Sequence, residues 1–212
     1  MLRDGLEGRT VGSFGMGFRP LPEEERRRYA VSLSTAGFTP PAVYDARDVY
    51  AGQPPCVAYH VADQGACGSC YAFAAATAYS ARLCRFNPGS VGNVFVSPQE
   101  LMDCANGCDG GSPVAVLQNL VQAPTVELWC DPYVQRKQTC GGVCSTGNAY
   151  AAQAGSVKLV GSDGAAGVLQ MQLELVRGGP GAVCFDVYDD FQVPPDRPTP
   201  RYADTRHARV RS

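Results

Sequence analysis

Asp63-Gln64-Gly65-Ala66-Cys67-Gly68-Ser69-Cys70-Tyr71-Ala72-Phe73 is the stretch from which the architecture can be read. A glycine-broken loop carrying one glutamine and two cysteines runs directly into an alanine-rich, helix-forming segment. A cysteine in the first turn of that helix meets unpaired backbone N–H groups and the positive end of the helix dipole, and both favour a thiolate. A thiolate is a nucleophile, and a neighbouring glutamine can donate a side-chain N–H to an oxyanion forming beside it. Cys70 and Gln64 are therefore the first candidates for chemistry.

The whole chain sets bounds on that reading. It has 212 residues, enough for one good core or for two small lobes sharing an interface. The formal charge of -2 comes with no strongly biased block, so neither nucleic acid nor a membrane surface is an expected partner. No apolar run approaches the ~20 residues that a membrane-spanning helix needs. Ten cysteines point to an oxidising compartment. The opening Met1-Leu2-Arg3-Asp4-Gly5 lacks the charged-then-apolar pattern of a secretory signal. An incomplete N-terminus reconciles the two.

Along the first half the pattern is helical. Phe73, Thr77, Ala81 and Cys84 recur at helical spacing after Cys70, predicting a long central helix. Ser97-Pro98-Gln99-Glu100 is a capping box with proline at the first helical position. Ser112-Pro113 repeats the arrangement and predicts a helix through about Val121. Later, Asp163 is a candidate cap for a helix running to Arg177, closed by Gly178-Gly179-Pro180. Val183, Phe185 and Val187 alternate with Ala182, Cys184 and Asp186, which predicts a strand.

Two rival chemistries use the same cysteines. Cys67-Gly68-Ser69-Cys70 is formally a C-x-x-C redox pair, but no βαβ pattern surrounds it. Cys104, Cys108, Cys140 and Cys144 could assemble a zinc site, but the spacings are loose and neither His60 nor His207 lies near a cysteine pair.

Cys67 to Tyr71 fits every place of the C-G-[SA]-C-[WY] pattern, and the segment resembles the active-site stretch of papain-like cysteine peptidases, the cathepsins. Pro41 to Arg47 is similar to the opening of mature cathepsins, with Ala46 where tryptophan is usual. Gly179-Pro180 through Phe191 resembles a stretch of cathepsins B and C. The resemblance implies an α+β class: a papain-like two-lobe fold, with a helical left lobe and an incomplete strand-rich right lobe. It implies a peptidase domain over 41–191, a linker or propeptide remnant over 1–40, and a Pro/Arg-rich tail over 192–212. For 1–40, which contains Glu23-Glu24-Glu25-Arg26-Arg27-Arg28, the preferred reading is a solvated helix or linker, because the stretch is short for a whole propeptide. In 192–212, four prolines, five arginines and few aliphatic residues replace the expected core strands. The chain therefore reads as truncated at its C-terminus.

Further roles come from the resemblance alone. It implies bridges Cys56–Cys84, Cys67–Cys108, Cys104–Cys140 and Cys130–Cys144, leaving Cys70 as nucleophile and Cys184 as a core thiol. Gly110-Gly111, otherwise a tight turn needing positive φ, becomes a bare backbone edge for an extended peptide, and Gly68 and Ser69 join the substrate-binding set. The implied base is a histidine. His207 lies 137 residues after Cys70 (207 − 70), within the ~130–150 spacing of the papain type, whereas its arginine-rich surroundings read as an unpacked tail. No asparagine follows Asn148 to orient it. The implied function is hydrolysis of peptide or protein substrates through a thioester, without cofactor or metal, in a lysosomal, vacuolar or secreted setting. The implied partners are that substrate and a propeptide or further domains. The alternative is a non-catalytic papain-fold pseudo-enzyme that binds or inhibits. With its base on a tail and its right lobe incomplete, the 212-residue chain is expected to be a fragment of impaired activity and low stability.

Overall fold

The computed structural model describes residues 17–46, 62–87, 94–141, 144, 146–161, 164–185 and 210–211. Its centre is helix α2, Cys70–Phe86, entered from Ser69. Six of its residues are alanine, and small side chains let two other helices approach closely. These are α3 (Pro98–Asp103) and α4 (Pro113–Asn119). Ala72, Ala75 and Ala76 meet Tyr71, Val96, Leu101, Met102, Val116 and Leu120 in one core cluster. The N-cap of α3 is formed, with Ser97 Oγ accepting from the Glu100 N–H at 3.0 Å. The capping box is not closed: the Ser97 N–H donates to the Val126 carbonyl at 2.8 Å, and the Glu100 carboxylate accepts from the Gly141 N–H instead. Ser112 makes no side-chain cap, so α4 rests on its proline and its packing.

The second half is sparser. Helix α5 spans Ala165–Arg177 and starts from Gly164; Asp163, the expected cap, lies outside the described residues. Strands come only as two-residue pairs among the described residues. β1 (Ala30–Val31) runs parallel to β2 (Leu159–Val160). β3 (Cys184–Phe185) runs antiparallel to β4 (Val210–Arg211). The tail expected to lack strands therefore supplies one. Its pairing uses backbone groups, which leave no trace in side-chain alternation.

Arg82 of α2 joins the halves. Its guanidinium donates to Glu174 Oε1 at 2.9 Å, to the Pro180 carbonyl at 2.7 Å and to the Gly179 carbonyl at 3.0 Å. Arg85 adds a bond to the Val176 carbonyl at 2.8 Å. The C-terminal end of α5 is thus held by a fork of donors that suits its unpaired carbonyls.

Helix α1 (Glu23–Tyr29) belongs to an N-terminal segment that crosses the molecule. At one end, Phe18 bridges in parallel to Gly111. At the other, β1 pairs with β2, and the Leu33 N–H donates to Gln170 Oε1 at 2.9 Å. α1 itself buries no residue, as a solvated helix should.

Candidate active site

Disulfides hold the loop that delivers Cys70. Cys67 is joined to Cys108, Cys104 to Cys140 and Cys130 to Cys144. Cys84 is also disulfide-bonded; Cys56, its implied partner, lies outside the described residues. Cys70 and Cys184 carry free thiols. The Cys67–Cys108 link brings the loop against the Gly107–Asp109 turn, where the Gly68 N–H donates to the Cys108 carbonyl at 3.2 Å.

Tyr133 fixes the other side of the loop. Its hydroxyl donates to the Gln64 carbonyl at 2.8 Å, and its oxygen lies 2.6 Å from Ser69 Oγ. A phenol has one proton to give, so with that proton on the Gln64 carbonyl, Ser69 must donate to Tyr133. Burial pushes the Tyr133 phenol up, keeping it a neutral donor. Its ring stands edge-on to Phe73 at 4.7 Å between centroids. Residues 64, 69 and 73 are thereby set by one side chain from outside the motif. Sequence reading missed Tyr133, because nothing local at Asp131-Pro132-Tyr133 signals it.

Cys70, half-buried at the first helical position, and Gln64 line a single cavity of about 440 Å³. Phe73 and Thr77 of α2 form one wall, and Pro180 to Val183 the other. Cys184 follows that second wall. Burial first, and the charge of Cys70 second, push its thiol up to about 11. His207 lies outside the described residues, as does His60.

Gly110 and Gly111 do not line that cavity; they form a glycine rim against Gly68, in the loop that leads to Cys70. Gly110 has φ 81°, and a Cβ there would meet the Gly17 carbonyl oxygen at 2.7 Å. A Cβ on Gly111 would meet the Tyr71 ring at 2.8 Å. Both positions therefore require glycine, one for backbone conformation and both for space. Tyr71 is buried, donates to the Gly107 carbonyl at 2.8 Å, and has its phenol raised to about 12, chiefly by burial. The rim already holds a second backbone: the Gly111 N–H donates to the Gly17 carbonyl at 2.6 Å, and the Gly111 carbonyl accepts from the Arg19 N–H at 2.8 Å. Gly17 packs against Gly68, so the segment lies across the loop leading to Cys70.

The buried carboxylates of Glu100, Asp103 and Asp131 converge at α3, with oxygens within 4.8 Å of one another. Gln99, the Gln138 and Gly141 backbone N–H groups, and Ser97 donate to them. Glu100 also approaches Cys104 and Cys140, but those two sulfurs are bonded to each other.

Comparison with known proteins gives the family and the fold. Residues 40–194 match the family described as papain family cysteine protease. The chain is 33% identical over 189 residues to cathepsin B-like cysteine proteinase 5 of Caenorhabditis elegans, covering 71% of this chain and 54% of that protein. It is 32% identical over 196 residues to cathepsin B-like CP3 of Giardia intestinalis, covering 88% of this chain and 62% of that protein. Procathepsin B S9 from Trypanosoma congolense superposes with a TM-score of 0.64 at 22% identity, covering 84% of this chain and 62% of that one. The protein is an α+β, papain-fold, cathepsin-type polypeptide. It belongs to the papain family of cysteine proteases, and spans roughly half to three-fifths of the curated relatives' length.

Proposed function

We propose that this chain carries the nucleophile half of a cysteine peptidase, with Cys70 as nucleophile. The observation that carries the reading is that Cys70 and Gln64 share one cavity beside a glycine rim able to hold an extended backbone. In the proposed reaction the Cys70 thiolate attacks a peptide carbonyl carbon. The Gln64 side chain and the Cys70 backbone N–H donate to the oxyanion. The C–N bond breaks, the leaving amine takes a proton from His207 acting as base and then acid, and a thioester remains. Water hydrolyses it, releasing the carboxylic acid and restoring the thiol. Gly68, Ser69, Gly110 and Gly111 form the substrate-facing backbone.

Residues 17–19 act in this reading as an internal occupant of the same rim, the end of a propeptide. An extended peptide competing for the Gly111 N–H and carbonyl must displace them. The disulfides suit an oxidising compartment, and a lysosomal or secreted location is the setting proposed for the working enzyme. Among the described residues, no helix is long and apolar enough to cross a membrane.

A direct test is alkylation under native conditions with limiting iodoacetamide, followed by peptide mapping. Cys70 should be modified ahead of Cys184, whose thiol is pushed up to about 11. Faster modification of Cys184 would remove the nucleophile from this scheme.

A further inference from the structure

We propose that Gln99 is a positioning residue for the oxyanion site: it clamps the strap 133–138, and the strap sets the loop that carries Gln64 and Cys70. The inference rests on the peptidase reading above and adds a residue that acts on the site from α3. Gln99 is fully buried. Its Oε1 accepts from the Val134 N–H at 2.9 Å. Its Nε2 donates to the Arg136 carbonyl at 2.8 Å and to the Asp103 carboxylate at 3.0 Å. An amide that accepts from residue 134 and donates to residue 136 pairs with the chain as a neighbouring backbone edge would. Asp103 extends the clamp by accepting from the Gln138 N–H at 2.6 Å. One partner needs an acceptor and two need donors, and among side chains of this length only glutamine supplies both.

Every second side chain of the strap reaches the catalytic loop or the turn tied to it. Tyr133 holds the Gln64 carbonyl and the Ser69 hydroxyl. Gln135 lies over Gly65, where an added Cβ would collide with its Oε1. Lys137 lies over Gly107 in the same way, and its ammonium donates to the Ala105 carbonyl at 2.7 Å. Gln135 sits at φ 58°, in the left-handed region that a residue with a Cβ seldom adopts. Such strain persists only where the surroundings over-determine it. The two Gln99 bonds to the strap, at residues 134 and 136, flank that position on either side. Without them Gln135 is free to relax, and Tyr133 moves with it.

Two reagents on the full chain separate positioning from stability. A peptidyl aldehyde takes the Cys70 thiolate at its carbonyl carbon, and the C=O electron pair becomes an oxyanion that then gains a proton. Iodoacetamide alkylates the same sulfur and expels iodide, with no oxyanion. Gln99→Glu at pH 7 should weaken aldehyde binding about tenfold, short of the roughly hundredfold loss of an oxyanion donor itself. Its rate with iodoacetamide should fall less. The introduced carboxyl faces Asp103, with Glu100 and Asp131 beside it, so it takes up a proton readily and regains a donor. Relative to wild type, its aldehyde binding should therefore recover as pH falls from 7 to 5. Gln99→Met removes the same bonds without adding charge, and should show the loss with no recovery. Val116→Ala, in the core cluster on α4, should lower the melting temperature yet keep the wild-type ratio of the two reactions. Wild-type aldehyde affinity in a Gln99 variant that folds would overturn the proposal. So would a loss that Val116→Ala reproduces, or failure of both Gln99 variants to fold, since the clamp would then be core alone. A wild-type chain whose Cys70 reacts with iodoacetamide ahead of Cys184 but binds no aldehyde would also overturn it, while the nucleophile stands. If Cys184 reacts first, the peptidase reading itself fails and this one with it.

Discussion

Tyr133 carries more of the site than its distance from the motif suggests. One hydroxyl sets the Gln64 carbonyl and the Ser69 hydroxyl together. Tyr133→Phe keeps the ring against Phe73 and removes only those bonds. Leaving two partly buried polar partners unsatisfied costs roughly 1–3 kcal/mol. The variant should melt earlier and show slower Cys70 alkylation, measured by scanning fluorimetry and mass spectrometry side by side. An unchanged alkylation rate would mean that the loop is held by the Cys67–Cys108 link without help. Cys70→Ala should abolish any thioester formation while leaving the melting temperature nearly intact, because Cys70 is half-buried and outside the core cluster.

Between elements, the contact to question is Arg82 at the end of α5. Its part-buried guanidinium donates to Glu174 and to the Gly179 and Pro180 carbonyls. Arg82→Ala strands a carboxylate and two carbonyls at once. Hydrogen bonds to charged groups contribute roughly 1.5–3 kcal/mol each, so a loss near the upper end is expected. Amides of α5 should exchange with deuterium faster while those of α3 and α4 stay protected, since the latter pack on α2 elsewhere. Uniform acceleration throughout would show that the halves unfold as one unit. Ser97→Ala offers a contrast within the helical half. It removes a cap contributing about 1 kcal/mol together with the hydroxyl's bonds to Asp131, and should loosen α3 and the turn at Asp131 while α5 stays protected.

For the molecule as a whole, pH selects between opposing carboxyls. Glu100 is pushed above the usual carboxylate range, chiefly by burial and then by its acidic neighbours, despite a backbone N–H from Gly141. Asp131 is likewise raised, first by burial and then by Asp103. Raised carboxyls bind protons more tightly when folded. Their contribution is therefore full below their ordinary values of 4.5 and 3.8, and is lost as pH rises through the raised values. Glu127 behaves oppositely. Bonds from Tyr150, then Asn148 and Trp129, lower it, so its contribution is present above 4.5 and lost as pH falls through the lowered value. Stability should peak in mildly acidic solution. Melting temperatures measured from pH 4 to 8 should fall towards the alkaline end, and Glu100→Gln should flatten that fall by a few degrees, about 2–4 °C per kcal/mol at this size. A wild-type curve that rises steadily to pH 8 would count against the buried cluster as its source.

The helical half was legible from local chemistry: alanines and periodic side chains for α2, a serine N-cap followed by proline for α3, and a serine–proline start for α4. Those signals are short-range, and each acts within a turn of the residue that carries it. The pairing of Cys70 with Gln64 was legible too, since six residues of loop keep them neighbours in any fold. Other features had no local signature. Tyr133 reaches Gln64 across a separation of 69 residues, and Arg82 reaches Gly179 across 97. The N-terminal segment meets the glycine rim through backbone groups that every residue possesses, so its charged run reads first as a solvated helix or linker and only second as a propeptide remnant. Val210–Arg211 joins β3 in the same way, through amides and carbonyls with no side-chain pattern to announce it. Backbone partners are chosen by proximity after the core has formed, and proximity is a property of the packed chain.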